Sequence, residues 1–185
     1  LYGKELRYVR PVLYSPEEAI NAKFIDSNGL VILNQINGIL FKVDNRKIPI
    51  PYLVKSFNVE KSGTVYRFKL KKSLFHNGQF VSAGDVKYSI EKVIRKKVVG
   101  FMGLKLIKCF DRFLKMKNSP LCGFKVKGHD TFEFTFDPDR SGVSGADGDF
   151  NDLFSLNQIR VRNYGGTDDR SLRQFQVAVK TVANP

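Results

Sequence analysis

The sequence predicts a mixed α/β (α+β) fold, in which a small and mainly antiparallel sheet carries packed helices. Residues 64–70 alternate between apolar and polar side chains, as a half-buried strand does, and residues 82–97 repeat apolar side chains at helical spacing. The chain has 185 residues, of which 42% are hydrophobic and 16 are Phe, enough for one ordinary domain with an apolar core. No run of 18 apolar residues exists, so no transmembrane helix is expected.

The strand over residues 64–70 is expected to pair with Leu53–Val59 in a hairpin. Lys61-Ser62-Gly63 supplies the turn between them, because Gly tolerates the positive φ that tight turns require. The side chains expected toward the core are Tyr66, Phe68 and Leu70, and those on the opposite face are Val65, Arg67 and Lys69.

A capped helix is predicted after the hairpin. His76-Asn77-Gly78 marks a turn, and Ser82 is expected to cap the helix together with Asp85, three residues later, in a capping box. The helix should end near Lys97, since its last turn is basic. Its apolar positions are Val86, Ile90, Val93 and Ile94.

A second set of elements is predicted after a loop at residues 98–103. Leu104–Leu114 has apolar side chains at helical spacing, and Pro120 ends this helix. Gly123–Val126 and Thr131–Phe136 are expected to be strands. The apolar stripe of the last strand consists of Phe132, Phe134 and Phe136. We interpret this stripe as core rather than as an aromatic platform for a ligand.

Three motifs follow one another in the central part of the chain. They are Pro51-Tyr52-Leu53-Val54-Lys55-Ser56-Phe57, Tyr66-Arg67-Phe68-Lys69-Leu70 and Phe75-His76-Asn77-Gly78-Gln79-Phe80-Val81-Ser82-Ala83-Gly84-Asp85-Val86-Lys87-Tyr88-Ser89. In order and spacing they resemble the shared block of the extracytoplasmic solute-binding proteins of peptide, nickel and related ABC importers, known as family 5. Phe57 stands where the family usually has Trp, and Phe80 where it usually has Pro.

The resemblance extends from about Leu6 to Phe136. Tyr14-Ser15-Pro16 is the counterpart of a Leu-Asp-Pro signature, and Asn37–Phe41 is the counterpart of a Glu-Gly-Leu element. Between them a helix is expected, capped by Ser27 or Asn28, with the apolar positions Leu30, Leu33, Ile36 and Leu40. Residues 1–137 are therefore expected to form a first-lobe-like domain, and residues 138–185 an unmatched C-terminal extension packed on the same domain.

The resemblance implies the first lobe of a two-lobed periplasmic-binding-protein fold of type II. In that family the ligand lies between the lobes, and the first lobe contributes one loop near its start and another after the capped helix. Carried over to this chain, the ligand-binding residues are Phe24, Ile25, Asp26, Phe101 and Met102. The alternative, that these residues belong to the core or to plain loops, stays open.

The function that the resemblance implies is capture of a solute, an oligopeptide in the first place, for an ABC importer. The partners would be the peptide or another small solute and the ABC permease, in the periplasm or outside the cell of a bacterium. The second lobe has no counterpart in this sequence, which leaves three alternatives: a lobe fragment, a truncated homologue, or half of an assembly that self-associates to replace the missing lobe. In each case binding by the chain alone is expected to be weak.

Positive charge is the second functional signal. The net charge is +13, and residues 87–127 hold 12 Lys or Arg against only two acids, Glu91 and Asp111. A basic face of this kind attracts nucleic acid or anionic lipid. The alternative function is therefore a stand-alone interaction module whose basic face binds an anionic partner, a nucleic acid or a membrane surface. Nucleic acid is the less expected partner, because no recognisable nucleic-acid module accompanies the charge.

The sequence carries no catalytic, metal or cofactor signature, so an enzyme is not expected. His76 and His129 fall in predicted turns, and Gly145–Asp149 lacks the Glu that closes an EF-hand loop. Cys109 and Cys122 are wrongly spaced for a zinc site. They have two interpretations: a disulfide that closes a short loop in an oxidising compartment, or two buried thiols in the cytosol.

Overall fold

The structure, a computed structural model, describes residues 38–46, 48–61, 63–75, 77–97, 104–137 and 160–161. The helix predicted after Ser27 or Asn28 lies outside these residues, and so does the predicted C-terminal extension apart from residues 160–161. Within the described ranges, no helix has both the length and the apolar character needed to span a membrane.

The described part contains short strands and two helices. The strands are β1 (Gly38–Ile39), β2 (Phe41–Val43), β3 (Pro49–Pro51), β4 (Val54–Glu60), β5 (Val65–Leu70), β6 (Phe124–Val126), β7 (Thr131–Thr135) and β8 (Arg160–Val161). The helices are α1 (Ala83–Lys96) and α2 (Phe110–Lys115). The predicted mixed α/β class, with a small antiparallel sheet and packed helices, is confirmed.

The main sheet has four antiparallel strands in the spatial order β4-β5-β7-β6. Its register aligns Phe57, Phe68 and Phe132 across three neighbouring strands. The predicted hairpin is confirmed, with each strand starting one residue later than expected. Between its strands, Lys61 and Gly63 both adopt positive φ, at 53° and 85°. This turn chemistry fixes the register, which in turn decides which side chains enter the core.

The faces of β5 follow the predicted alternation with one exception. Tyr66, Phe68 and Leu70 are buried, while Arg67 and Lys69 are exposed. Val65, expected on the outer face, is buried as well. It pairs with a neighbouring strand on both sides, opposite Glu60 and Thr135, because β5 lies inside the sheet. Alternation alone does not capture this central position.

Aromatic rings form the core on the inner face of the sheet. Phe68 is in ring contact with Phe132 and Phe134, with centroids 5.1 and 5.7 Å apart, and Phe124 lies 4.8 Å from Phe134. Phe136 continues the stripe, 5.2 Å from the ring of Tyr66. All six Phe and Tyr side chains of this group are almost fully buried. The interpretation of the stripe as core is confirmed.

Helix α1 begins with the predicted capping box. The Asp85 N–H donates to Ser82 Oγ at 3.2 Å, and the Ser82 N–H donates to Asp85 Oδ2 at 2.8 Å. The helix ends at Lys96, one residue before the expected end, and Lys97 caps it. The apolar positions predicted for its inner face are buried: Val86, Ile90, Val93 and Ile94.

The helix predicted over Leu104–Leu114 is wrong in its first half, because only Phe110–Lys115 is helical. The backbone before it pairs with the end of β7 instead: the Lys108 N–H donates to the Thr135 carbonyl at 2.9 Å, and the Asp137 N–H donates to the Leu106 carbonyl at 2.8 Å. These long-range bonds satisfy backbone groups that a helix would need for its own ladder. In this segment, tertiary backbone pairing therefore overrides the helical spacing of the apolar residues.

Leu40, predicted on a helix, lies between strands β1 and β2. Its carbonyl accepts the Tyr52 N–H at 2.9 Å, so its backbone is committed to the entry of the hairpin. The preceding Gly38 packs closely on Leu53, because a Cβ at this position would lie 2.8 Å from Leu53 Cδ1. Strand β1 pairs with β8, whose Val161 is buried in the same core.

Candidate functional site

The predicted ligand-binding residues fall outside the described part of the structure. Phe24, Ile25 and Asp26 precede residue 38, and Phe101 and Met102 lie in the segment 98–103. Their contact with a ligand therefore stays a prediction. The structure does describe the surroundings of the second group, since residues 77–97 and 104–137 flank it.

Both ends of the segment 98–103 are fixed by backbone geometry. At one end Lys97 adopts the left-handed conformation, with φ 51° and ψ 39°, and its N–H donates to the Ile94 carbonyl at 3.3 Å. At the other end Leu104 is fully buried, and its carbonyl accepts the Ile107 N–H at 3.1 Å. The described residues on either side of the segment that contains Phe101 and Met102 are thus a helix C-terminus and a buried Leu104.

Arg95 organises the region beside this loop. Its Nη1 donates to the Met116 carbonyl at 3.1 Å, and its Nη2 donates to the carbonyls of Lys117 and Ser119 at 2.9 and 3.3 Å. The guanidinium plane also lies over the Phe113 ring, 3.8 Å from its centroid. Arg95 therefore ties the last turn of α1 to the chain that follows α2. A planar, five-donor group suits several fixed carbonyls better than an ammonium does.

A disulfide closes the same region. The structure joins Cys109 to Cys122, with Cα atoms 5.7 Å apart and a separation of 13 positions in the sequence. The bridge encloses α2 and the segment 116–119 that Arg95 holds. Cys109 adopts positive φ at the start of α2, where the chain turns from its pairing with β7 into the helix. The described residues contain no free cysteine.

Positive charge dominates the electrostatics of this region. Glu91, on α1, lies 3.9 Å from Lys87 and one turn before Arg95. Burial raises the pKa of the Glu91 carboxyl above its ordinary value, and the positive charges of Lys87 and Arg95 oppose this shift only in part. Residues 87–127 hold two acids, Glu91 and Asp111, beside 12 Lys or Arg.

The two histidines and the acidic side chains are the remaining candidates for chemistry in this sequence. They include no cluster of three or more His, Cys, Asp or Glu side chains that could hold a metal ion. His129 is exposed in the turn between β6 and β7, and its backbone carbonyl accepts the Ala83 N–H at 2.7 Å. His76 lies outside the described residues. The side chain that sequence reasoning missed is Arg95, which the sequence marks only as part of a basic helix end.

A sequence profile of one protein family matches more than half of the chain. The family is described as bacterial extracellular solute-binding proteins, family 5 middle, and the match covers residues 49–161. This range includes the three motifs and every described element from β3 to β8. No protein with a curated function matches the sequence.

Three solved structures illustrate the similarity of fold. OppA of Listeria monocytogenes, solved with bound peptide, is 24% identical with a TM-score of 0.65, and the match covers 83% of this chain and 30% of that one. The substrate-binding domain of an oligopeptide ABC transporter from Bacillus anthracis is 23% identical with a TM-score of 0.60, covering 79% and 27%. A periplasmic oligopeptide-binding protein of Borrelia burgdorferi, OppAIV, is 20% identical with a TM-score of 0.62, covering 81% and 31%.

The chain spans less than a third of the length of each of these three structures. Identities this low support the fold and nothing more specific. The predicted relation to one portion of a periplasmic-binding-protein fold is confirmed by these matches, and the sequence profile adds the family. The chain belongs to family 5 of the bacterial extracellular solute-binding proteins.

Proposed function

We propose that this chain contributes to solute capture, with oligopeptides as the solute, for an ABC importer that works outside the cytoplasm of a bacterium. The family match over residues 49–161 is the observation that carries this proposal. The three structures described above add support, because the name of each refers to a peptide or an oligopeptide. The importer's permease is the proposed second partner. Binding without catalysis is the proposed activity.

The residues that we propose to meet the ligand are Phe24, Ile25, Asp26, Phe101 and Met102. The described neighbours of the second group support this choice, because Lys97 ends helix α1 and Leu104 is buried in the core. Peptides in such clefts are held largely by backbone hydrogen bonds, as an added strand would be. Apolar residues at the cleft wall would then cover the peptide side chains.

Weak binding by the chain alone follows from having one wall of a two-walled cleft. A well-formed pocket removes roughly 70–90% of the surface of its ligand from water. With about half of that contact, the entropic cost of capture remains in full. A ligand bound at about 1 μM by two lobes has roughly −8 kcal/mol of binding free energy, and half of that corresponds to a dissociation constant near millimolar.

Two measurements test this proposal. Calorimetry with a mixed pool of short peptides should detect no saturable binding by the monomer tighter than about 10 μM. NMR titration of the isotope-labelled chain with the same pool, at millimolar concentration, should shift the amide signals of residues 24–26 and 101–102. Amides of the buried strand β7 serve as the internal control and should stay in place. Shifts confined to other surfaces would contradict the proposed site, and tight binding would contradict the one-wall interpretation.

The disulfide between Cys109 and Cys122 supports the proposed location outside the cytoplasm, because disulfides persist in oxidising compartments. Cell fractionation with thiol labelling tests it. In cells, both cysteines should resist alkylation until a reductant is added, and the protein should remain with the cell envelope or medium. Rapid alkylation without reductant would contradict this location.

A further inference from the structure

Five exposed cations lie at the junction of the two helices. We call this set the basic surface, and it consists of Lys96, Lys97, Arg112, Lys115 and Lys117. None of these five side chains takes part in the ion pairs that join Lys or Arg to Glu60, Glu91, Asp130 or Glu133 within the described ranges. Asp111 and Glu91, the two acids of residues 87–127, are both only partly exposed.

The scaffold under the basic surface holds these charges together. Through its three carbonyl contacts, Arg95 fixes the segment 116–119 against the last turn of α1, where Lys96 and Lys97 lie. The disulfide encloses α2 with Arg112 and Lys115. Like charges repel one another, so a cluster held this way costs free energy unless an anionic partner neutralises it. A cluster of cations held in place this way favours an extended anion as its partner.

An exposed apolar side chain lies within the basic surface. Met116 follows the last residue of α2, between Lys115 and Lys117, and its side chain is 54% exposed. Proteins that bind single-stranded nucleic acid instead combine a basic groove with aromatic faces on which bases stack. In the described part of this region, the Phe113 ring is buried and covered by the guanidinium of Arg95. Cations around an apolar tip match the boundary of a bilayer, where phosphates lie above acyl chains.

We propose that the basic surface binds the anionic surface of a lipid bilayer, with the five cations at lipid phosphates and Met116 directed toward the acyl boundary. The family is extracellular, so an outward-facing membrane surface is within its reach. Peripheral contact of this kind keeps a solute-binding chain close to a membrane-embedded importer. The inference does not depend on peptide binding, because it uses a surface outside the proposed ligand residues.

Co-sedimentation with lipid vesicles tests the proposal on the full chain. Vesicles of phosphatidylcholine with about 30% phosphatidylglycerol should bind the chain at about 50 mM NaCl, and binding should fall steeply by about 300 mM because screening shortens the reach of the charges. Vesicles of phosphatidylcholine alone should bind at least tenfold more weakly. Equal binding to both vesicle types, or no binding to the anionic ones, would overturn the proposal.

Two matched double variants separate the basic surface from net charge. Each removed lysine charge should weaken binding roughly fivefold, so Lys115→Gln with Lys117→Gln should weaken it roughly 25-fold. Lys55→Gln with Lys72→Gln removes the same charge from exposed positions on β4 and beyond β5, and should weaken binding less than about threefold. Similar losses in the two variants would overturn the assignment to this surface. Unchanged thermal melting of both variants supports a comparison between folded proteins.

A third variant and a competitor complete the test. Met116→Ser should weaken vesicle binding severalfold without changing its salt dependence, because it removes apolar contact and no charge. An unchanged affinity would overturn the role of Met116 at the acyl boundary. A single-stranded RNA of about 20 nucleotides should compete poorly with the anionic vesicles. Displacement of the chain from vesicles by this RNA at submicromolar concentration would overturn the choice of a membrane as partner.

Discussion

Phe68 is the residue on which the aromatic core depends most directly, because it is fully buried and contacts rings from three other strands. Phe68→Ala should lower the free energy of unfolding by about 3–5 kcal/mol, the usual cost of a large cavity. Urea unfolding followed by circular dichroism measures it. Val59→Ala, at a 38% exposed position of the edge strand β4, is the control and should cost less than about 1 kcal/mol. A near-zero loss at Phe68 would contradict the described core.

Glu91 should give the stability of the protein a recognisable pH dependence. Burial raises its pKa in the folded state above 4.5, so the folded state holds this proton more tightly than the unfolded state does. Its contribution is therefore fully present below the unfolded pKa and is lost as pH rises through the folded pKa. Glu91→Gln should remove this part of the loss. The variant should therefore lose less stability than the unsubstituted protein as the pH rises from acidic to neutral. An unchanged pH profile would contradict the prediction.

Sequence patterns predict the surroundings of some residues and not those of others. The burial of Phe68 follows from alternation, a local pattern that repeats every second residue. The role of Arg95 depends on carbonyls 21–24 residues further along the chain, which only the packing of α1 beside α2 brings to it. A composition rule about basic helix ends does not contain that information. Long-range hydrogen bonds of side chains are for this reason the least predictable part of the site.

Helix α1 should depend measurably on its N-cap. Ser82→Ala removes the acceptor of the Asp85 N–H and should lower the free energy of unfolding by roughly 1 kcal/mol. Ser56→Ala, at an exposed position of β4, is the matched control and should have little effect. Thermal unfolding of the unsubstituted protein and of the two variants measures their relative stabilities. Equal stabilities of the Ser82 variant and the control would show that the capping box contributes nothing.

The disulfide should stabilise the element that carries the basic surface. For a loop of this length, removal of the bridge should cost about 3 kcal/mol, chiefly because the unfolded chain regains conformational freedom. Cys109→Ser with Cys122→Ser should therefore melt earlier than the oxidised protein. The same loss should appear in the oxidised protein after reduction. A reductant that leaves the melting temperature unchanged would contradict this contribution.

Elements that carry their own local signals were predictable, and those made by distant pairing were not. The capping box and the turn at Asn77-Gly78, where Gly78 has φ 81°, are encoded within a few residues. The segment 104–109 has helical spacing, yet its backbone pairs near Thr135. The Leu40 carbonyl likewise accepts a hydrogen bond from the Tyr52 N–H. A periodic pattern states which side chains are apolar, while the backbone partner decides the element.

At the scale of the whole molecule, the fold separates two surfaces. The aromatic core lies under one face of the main sheet, whereas the opposite face carries an ion-pair network in which Arg67 lies 2.9 Å from Glu60 and 3.4 Å from Glu133. The basic surface lies elsewhere, at the α1–α2 junction, and its five cations take no part in that network. The family resemblance predicted the fold and supplied candidate ligand residues, which stay a prediction, whereas ion pairing could be assessed only in three dimensions.

Self-association of the chain should depend on salt concentration, because each copy carries a high positive charge. A chain that supplies one wall of a cleft can complete it with a second copy, but two copies with a net charge of +13 repel each other at low ionic strength. The range of this repulsion falls from about 30 Å at 0.01 M salt to about 3 Å at 1 M. Self-association should therefore strengthen with added salt, opposite to the expected binding of anionic vesicles.

Sedimentation velocity at several protein concentrations measures this dependence. In the presence of the short-peptide pool, the weight-average mass should rise as NaCl increases from about 0.01 M to about 1 M, since screening removes the repulsion. Lys115→Gln with Lys117→Gln should reach the same mass at lower salt, because less charge must be screened. A mass that falls with salt would mean that charged groups hold the copies together. A monomer under all conditions would contradict completion of the cleft by a second copy.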